Sequence, residues 1–182
     1  MSVFLSYASV DRKLAEKLKE ELGKSGLSVW SDTDLAAGEE WRHRLEEAIH
    51  SASEILVLVG PKNGDDPWQQ LTWRAALESV WQDPSKRLIP ILLRGASLPA
   101  FVLSGTSGEL EAVRVEDPRH IRSAAQAILD LIQGHRTRGA GKTGKKGAKI
   151  FSVSADDDGR DTRLSTIETY AEHMRTASPT RD

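Results

Sequence analysis

The chain has 182 residues, is 38% hydrophobic and 29% charged, and carries a formal net charge of -2. That size holds one globular domain with a sizeable core plus tails, and the near-neutral charge argues against the whole chain acting as a nucleic-acid binder. The absence of cysteine excludes disulfides, thiolate zinc sites and a cysteine nucleophile together, which fits a reducing, cytoplasmic compartment. No apolar run approaches the ~20 residues of a membrane span, and Met1 leads straight into a strand pattern with no signal peptide.

"SVFLSY" (2–7) is a short apolar run, expected to be a buried strand. "DRKLAEKLKEELGKSG" (11–26) follows at helical period, with Leu14, Leu18 and Leu22 on one stripe and Gly23 or Gly26 as its stop. "LSVWSD" (27–32) reads as a second strand, "TDLAAGEE" (33–40) as a loop and "WRHRLEEAIHSA" (41–52) as a second helix. "EILVLVGP" (54–61) has the continuous apolar centre of a parallel strand covered on both faces. "DPWQQLTWRAALESVW" (66–81) predicts a third helix, with Trp73, Ala76, Leu77 and Val80 as its core stripe. "KRLIPILL" (86–93) and "LEAVRV" (110–115) predict the last strands. "DPRHIRSAAQAILDLIQG" (117–134) predicts a helix capped by Asp117, with Pro118 in its first turn.

Strands alternating with helices at this spacing mean a parallel sheet with right-handed crossovers. The expected fold is α/β, a flavodoxin-like five-stranded parallel sheet with helices on both faces, over residues 1–133. Ligands of such sheets bind at the carboxyl ends of the strands. Residues 134–150 change character: Arg136, Arg138, Lys142, Lys145, Lys146 and Lys149 stand among glycines without an acid. This reads as a basic linker, with weak affinity for nucleic acid as its sharper option. "GAGKTG" within it is no phosphate loop, because the pattern requires Gly where Arg136 stands and a strand where a helix precedes. Residues 151–182 read as a tail in which "TRLSTIETYAEHMRT" (162–176) can form an amphipathic helix. No histidine has a partner at metal-ligand spacing, so no metal site is expected. The run Arg42, His43, Arg44 spreads around its helix at ~100° per residue and reads as a solvated face.

"FLSYASVD", "VWSDTDLAAGEEW" and "PWQQLTWRAAL" followed by "RLIPILL", in this order and spacing, resemble a prokaryotic-type TIR (Toll/interleukin-1 receptor) domain over roughly residues 2–133. The resemblance implies one of two activities: cleavage of NAD+ at its nicotinamide–ribose bond, often in defence against phage, or non-catalytic signalling by TIR–TIR self-association. It implies NAD+ as substrate or ligand, no other cofactor, other TIR domains as partners in a homo-oligomer or filament, and a separate sensor protein as a further partner. A phosphoacceptor receiver domain shares the architecture but needs an aspartate ending the third strand, where "VGPKNG" stands.

The nicotinamide of NAD+ leaves as a neutral ring from a cationic one, so no acid is needed to expel it. The transition state resembles an oxocarbenium ion, which a fixed carboxylate stabilises by ~3 kcal/mol or more. By resemblance the pocket is bordered by Tyr7, Ala8 and Ser9 after the first strand, by Trp30 and Asp32 at the end of the second, by Leu35 and Gly38 in the loop, and by Trp68. The catalytic glutamate lies four residues after that tryptophan in the family. Here that position is Thr72, which is uncharged. Glu78, the one acid within this helix, is the candidate substitute, although six steps rotate it about 240° away from Thr72. Asp65 and Asp66 read as cap and dipole partners, with a displaced catalytic acid as their second option.

Overall fold

The computed structural model describes residues 2–31, 41–61, 67–99, 101–102, 109–134 and 148–154. In chain order these form β1 (Ser2–Tyr7), α1 (Arg12–Lys24), β2 (Ser28–Ser31), α2 (Trp41–Ser51), β3 (Glu54–Val59), α3 (Pro67–Gln82), β4 (Arg87–Leu93), β5 (Glu109–Val115), α4 (Ile121–Gly134) and β6 (Ala148–Ser154). The sheet order is β2-β1-β3-β4-β5-β6, and the first five strands are parallel. The expected five-stranded parallel sheet is therefore present, with element ends within two residues of those read from the sequence except at α4, where Asp117 caps a 3-10 turn (Pro118–His120) and the helix proper begins at Ile121.

Two cores flank the sheet, and strand alternation decides which residue enters which. Val3, Leu5, Leu56, Leu58 and Ile91 pack with α1 and α4 on one face. Phe4, Ile55 and Val57 pack with α2 and α3 on the other. All six residues of β3 are buried, as a strand covered on both sides requires. Trp73, Ala76 and Leu77 are buried and Val80 packs beside them, so the apolar stripe of α3 is core.

A sixth strand extends the sheet beyond the five expected ones. Residues 148–150, placed in the linker, and 151–154, placed in the tail, pair antiparallel to β5 from Ala148↔Val115 to Ser154↔Glu109. The physical reason is the edge: β5 alone would present a row of unpaired backbone groups, and β6 covers it while half-buried Ile150 packs on the core. Residues 135–147, which hold most of the basic linker, lie outside the described residues. So do the end of the tail and its expected helix at 162–176.

At the amino ends of the strands, polar anchors hold the frame. Arg87 grips Glu54 through Nε to Oε2 at 3.0 Å and Nη2 to Oε1 at 2.9 Å, and its Nη1 donates to the Leu131 carbonyl of α4 at 2.9 Å. The buried Lys86 ammonium donates to the carbonyls of Ile49 and His50 at the end of α2, and to Ser79 Oγ at 2.9 Å. A cation is well placed there, at the negative end of the helix dipole. Gly26 ends α1 at φ +83°, where Gly26 N–H reaches the Gly23 carbonyl and Leu27 N–H reaches Leu22. That pair of bonds is the Schellman pattern, and its left-handed residue favours glycine.

Candidate functional site

In this strand order β1 leads to α1 on one face and β3 leads to α3 on the other. A crevice therefore opens between their carboxyl ends, the topological switch point. The described segments nearest it are the turn after β1 and the ends of β2 and β3.

The turn after β1 places Ala8 in the buried layer and exposes Ser9, the first residue of a 3-10 turn (Ser9–Asp11) leading into α1. Tyr7, expected on the crevice wall, is 2% exposed and lies in the core beneath α1 and α4. The cause is parity: residue 7 shares its face with residues 3 and 5, away from α3. Trp30 is 52% exposed on edge strand β2 and pairs in register with Phe4. With Val10 it is one of two large exposed hydrophobic side chains among the described residues, and both stand near the carboxyl ends of the first two strands. Asp32, Leu35 and Gly38, with the rest of the 33–40 loop, lie outside the described residues.

Trp68 is the second residue of α3, which opens with Pro67 at a position where the missing N–H costs nothing. Thr72 follows one turn later and is completely buried. Glu78 sits ~9 Å further along the helix axis, in the half of α3 nearer the amino ends of the strands. Its Oε1 accepts from Gln82 Nε2 at 3.2 Å. Asp65 and Asp66 lie outside the described residues. On α2, His43 and Arg44 are exposed, with His43 Nε2 4.0 Å from Glu47, as a solvated face predicts.

Three features escape the sequence reading. Gln69, in the first turn of α3, is 2% exposed and donates Nε2 to the Leu58 carbonyl at 2.6 Å. It ties the helix to the end of β3. Ser6 Oγ and Trp73 Nε1 are both buried with no hydrogen-bond partner among the described residues, and both belong to the face covered by α2 and α3. On the far flank of α3, a cavity of about 180 Å³ opens between that helix, the end of β3 and the segment after β4. No group of three or more His, Asp or Glu side chains able to hold a metal occurs among the described residues, and none of their helices is long and apolar enough to cross a membrane.

A family model for the TIR domain matches residues 3–129. The chain is also similar to solved structures. A Clostridium botulinum CMP N-glycosidase is 18% identical with a TM-score of 0.52, over 72% of this chain and 99% of that one. The TIR domains of the activated Roq1 resistosome, which recognises the pathogen effector XopQ, are 15% identical with a TM-score of 0.47, over 75% and 74%. A diflavin flavoprotein from Nostoc sp. is 15% identical with a TM-score of 0.48, over 75% and 96%. At 18% identity the likeness to the N-glycosidase is one of fold alone. No curated protein matches the chain.

Proposed function

Since the chain belongs to the TIR domain family, we propose that its crevice at the β1/β3 switch point takes NAD+ and that the reacting bond is the nicotinamide–ribose N-glycosidic bond. The observation that supports this reading is the strand order, which puts the turn after β1 and the end of β3 on either side of the topological switch point, where ligands of such sheets bind. The fold shared with an N-glycosidase supports the bond type, since that enzyme also cleaves a base from a ribose. The product is nicotinamide with either linear or cyclised ADP-ribose, and the biological setting is defence signalling.

The carboxylate that such a transition state needs does not come from position 72. A neutral, buried threonine supplies no charge there. We assign the role to the acids that flank the crevice in sequence, Asp65 and Asp66 before α3 or Asp32 after β2. Glu78 stands too far along α3 and is engaged by Gln82. The test is a calorimetric titration with NAD+, followed by product analysis of Asp65→Asn and Asp66→Asn variants. Saturable binding with product lost in one of the variants is expected; absence of binding refutes the reading.

A second reading is favoured by Thr72 itself: a non-catalytic module that works by TIR–TIR self-association. It predicts oligomers whose formation is indifferent to NAD+.

A further inference from the structure

β6 covers one edge of the sheet and creates another. The sheet ends at β2 on one side and at β6 on the other, and among the described residues no strand pairs with the outer side of either. Such an edge presents a row of backbone N–H and C=O groups, which proteins blunt by shortening the strand or by placing charges, proline or a bulge on it. β2 is blunted by length, since Ser28–Ser31 is only four residues.

β6 lacks these devices over most of its length. It runs seven residues, Ala148–Ser154, with Lys149 as its one charge, close to one end, and without proline or glycine. Its register to β5 advances one pair per residue from Val115↔Ala148 to Glu109↔Ser154, so no bulge turns it aside. Ile150, Phe151 and Val153 are residue types that favour strands. The inner side is seated, with half-buried Ile150 packed on the core beside Val113. The strand also lies beyond residues 3–129, the stretch that matches the family model, so it adds an edge to the five-stranded sheet.

Only another extended strand satisfies an edge of this kind. The β2 of a neighbouring copy offers four residues, and a β6–β2 joint runs head to tail without closing. The β6 of a second copy offers all seven. About a two-fold axis normal to the sheet the two β6 strands run antiparallel, and the contact closes as a dimer. Centred on Ser152, that ladder sets Phe151 opposite the copy's Val153 on both sides of the axis, an aromatic and β-branched pair of the favoured cross-strand type. Ile150 then faces Ser154, and no like charges meet. We propose that the outer edge of β6 docks the β6 of a second copy and joins two six-stranded sheets into one. The proposal is independent of the crevice and supplies a surface for the self-association reading, on which it rests.

Sedimentation velocity on the full-length protein from about 1 to 500 µM is expected to follow a reversible dimer with a dissociation constant on the order of 100 µM, because an edge ladder buries less than the ~1,600 Å² of a standard interface. Ser152→Lys sets a cation opposite Glu111 within the chain, which favours the β5–β6 pairing, but brings two cations together at the dimer axis. It should weaken the dimer at least about tenfold without lowering the melting temperature. In a chain that has no cysteine of its own, Ser152→Cys should give a disulfide-linked dimer under mild oxidation, and Glu47→Cys on the exposed face of α2 should not. A dimer that Ser152→Lys leaves intact and Ser152→Cys does not cross-link overturns the β6 edge while leaving self-association standing. A monomer at every concentration overturns both.

Discussion

Gln69 donates its side-chain amide to the Leu58 carbonyl at 2.6 Å, joining the first part of α3 to the end of β3 across eleven residues of chain. The bond helps set the position of α3, which forms one wall of the cavity beside it.

Gln69→Leu is therefore expected to destabilise the fold by about 1–3 kcal/mol, the cost of leaving a buried carbonyl without its donor. Urea unfolding measures it. A change below a few tenths of a kcal/mol would mean that the bond does not hold the helix.

The Glu54–Arg87 pair makes a sharper prediction. Its side chains are only 4% and 16% exposed, and Arg87 also satisfies Leu131. Removing the guanidinium in Arg87→Met strands a buried carboxylate and should cost about 3–5 kcal/mol. The double change Glu54→Leu with Arg87→Met should recover a large part of that loss. Equal destabilisation by the single and double variants in denaturant titrations would show that the pair acts through packing alone.

Asp117 supplies a pH prediction. The Arg119 guanidinium and backbone N–H both bond its carboxylate, holding it down to about 2 from an ordinary 3.8. A depressed carboxylate contributes stability that is present above its unfolded value and is lost as pH falls through the folded one. The contribution should fade between about pH 4 and pH 2, and Asp117→Asn should remove that part of the acid dependence. Thermal melts across this range, with wild type and variant showing the same slope, would contradict the assignment.

Thr72→Glu tests the burial of position 72. On a crevice wall, a glutamate there would restore the family's carboxylate. The site is completely buried in this chain, so the new group must either be desolvated or be held neutral with a raised pKa. The expected outcome is a loss of several kcal/mol in stability without gain of activity. An active, equally stable Thr72→Glu protein would show that position 72 faces the ligand.

The sheet was legible in the sequence because apolar runs such as "EILVLV" and the stripe Trp73, Ala76, Leu77 and Val80 carry the periods of strand and helix directly. The site was less so. Tyr7 ends a strand at the crevice, but only the parity it shares with Val3 and Leu5 says which core receives it. Gln69 looks like a surface residue in a one-dimensional pattern, since nothing local reveals that a strand-end carbonyl waits opposite it. β6 falls partly in the expected linker and partly in the expected tail, because a lone strand after a long basic segment carries no sign of the edge it will cover.

The central claim is that the switch-point crevice cuts NAD+. The direct measurement is the time course of free nicotinamide after the purified chain is mixed with NAD+, with the Asp65→Asn/Asp66→Asn double variant run alongside at the same concentrations. Steady release by the wild type and a loss of at least about a hundredfold in the variant, as for removal of a preorganised charge, are predicted. No release above the buffer rate at any protein concentration would contradict the claim and leave the reading as a non-catalytic assembly module.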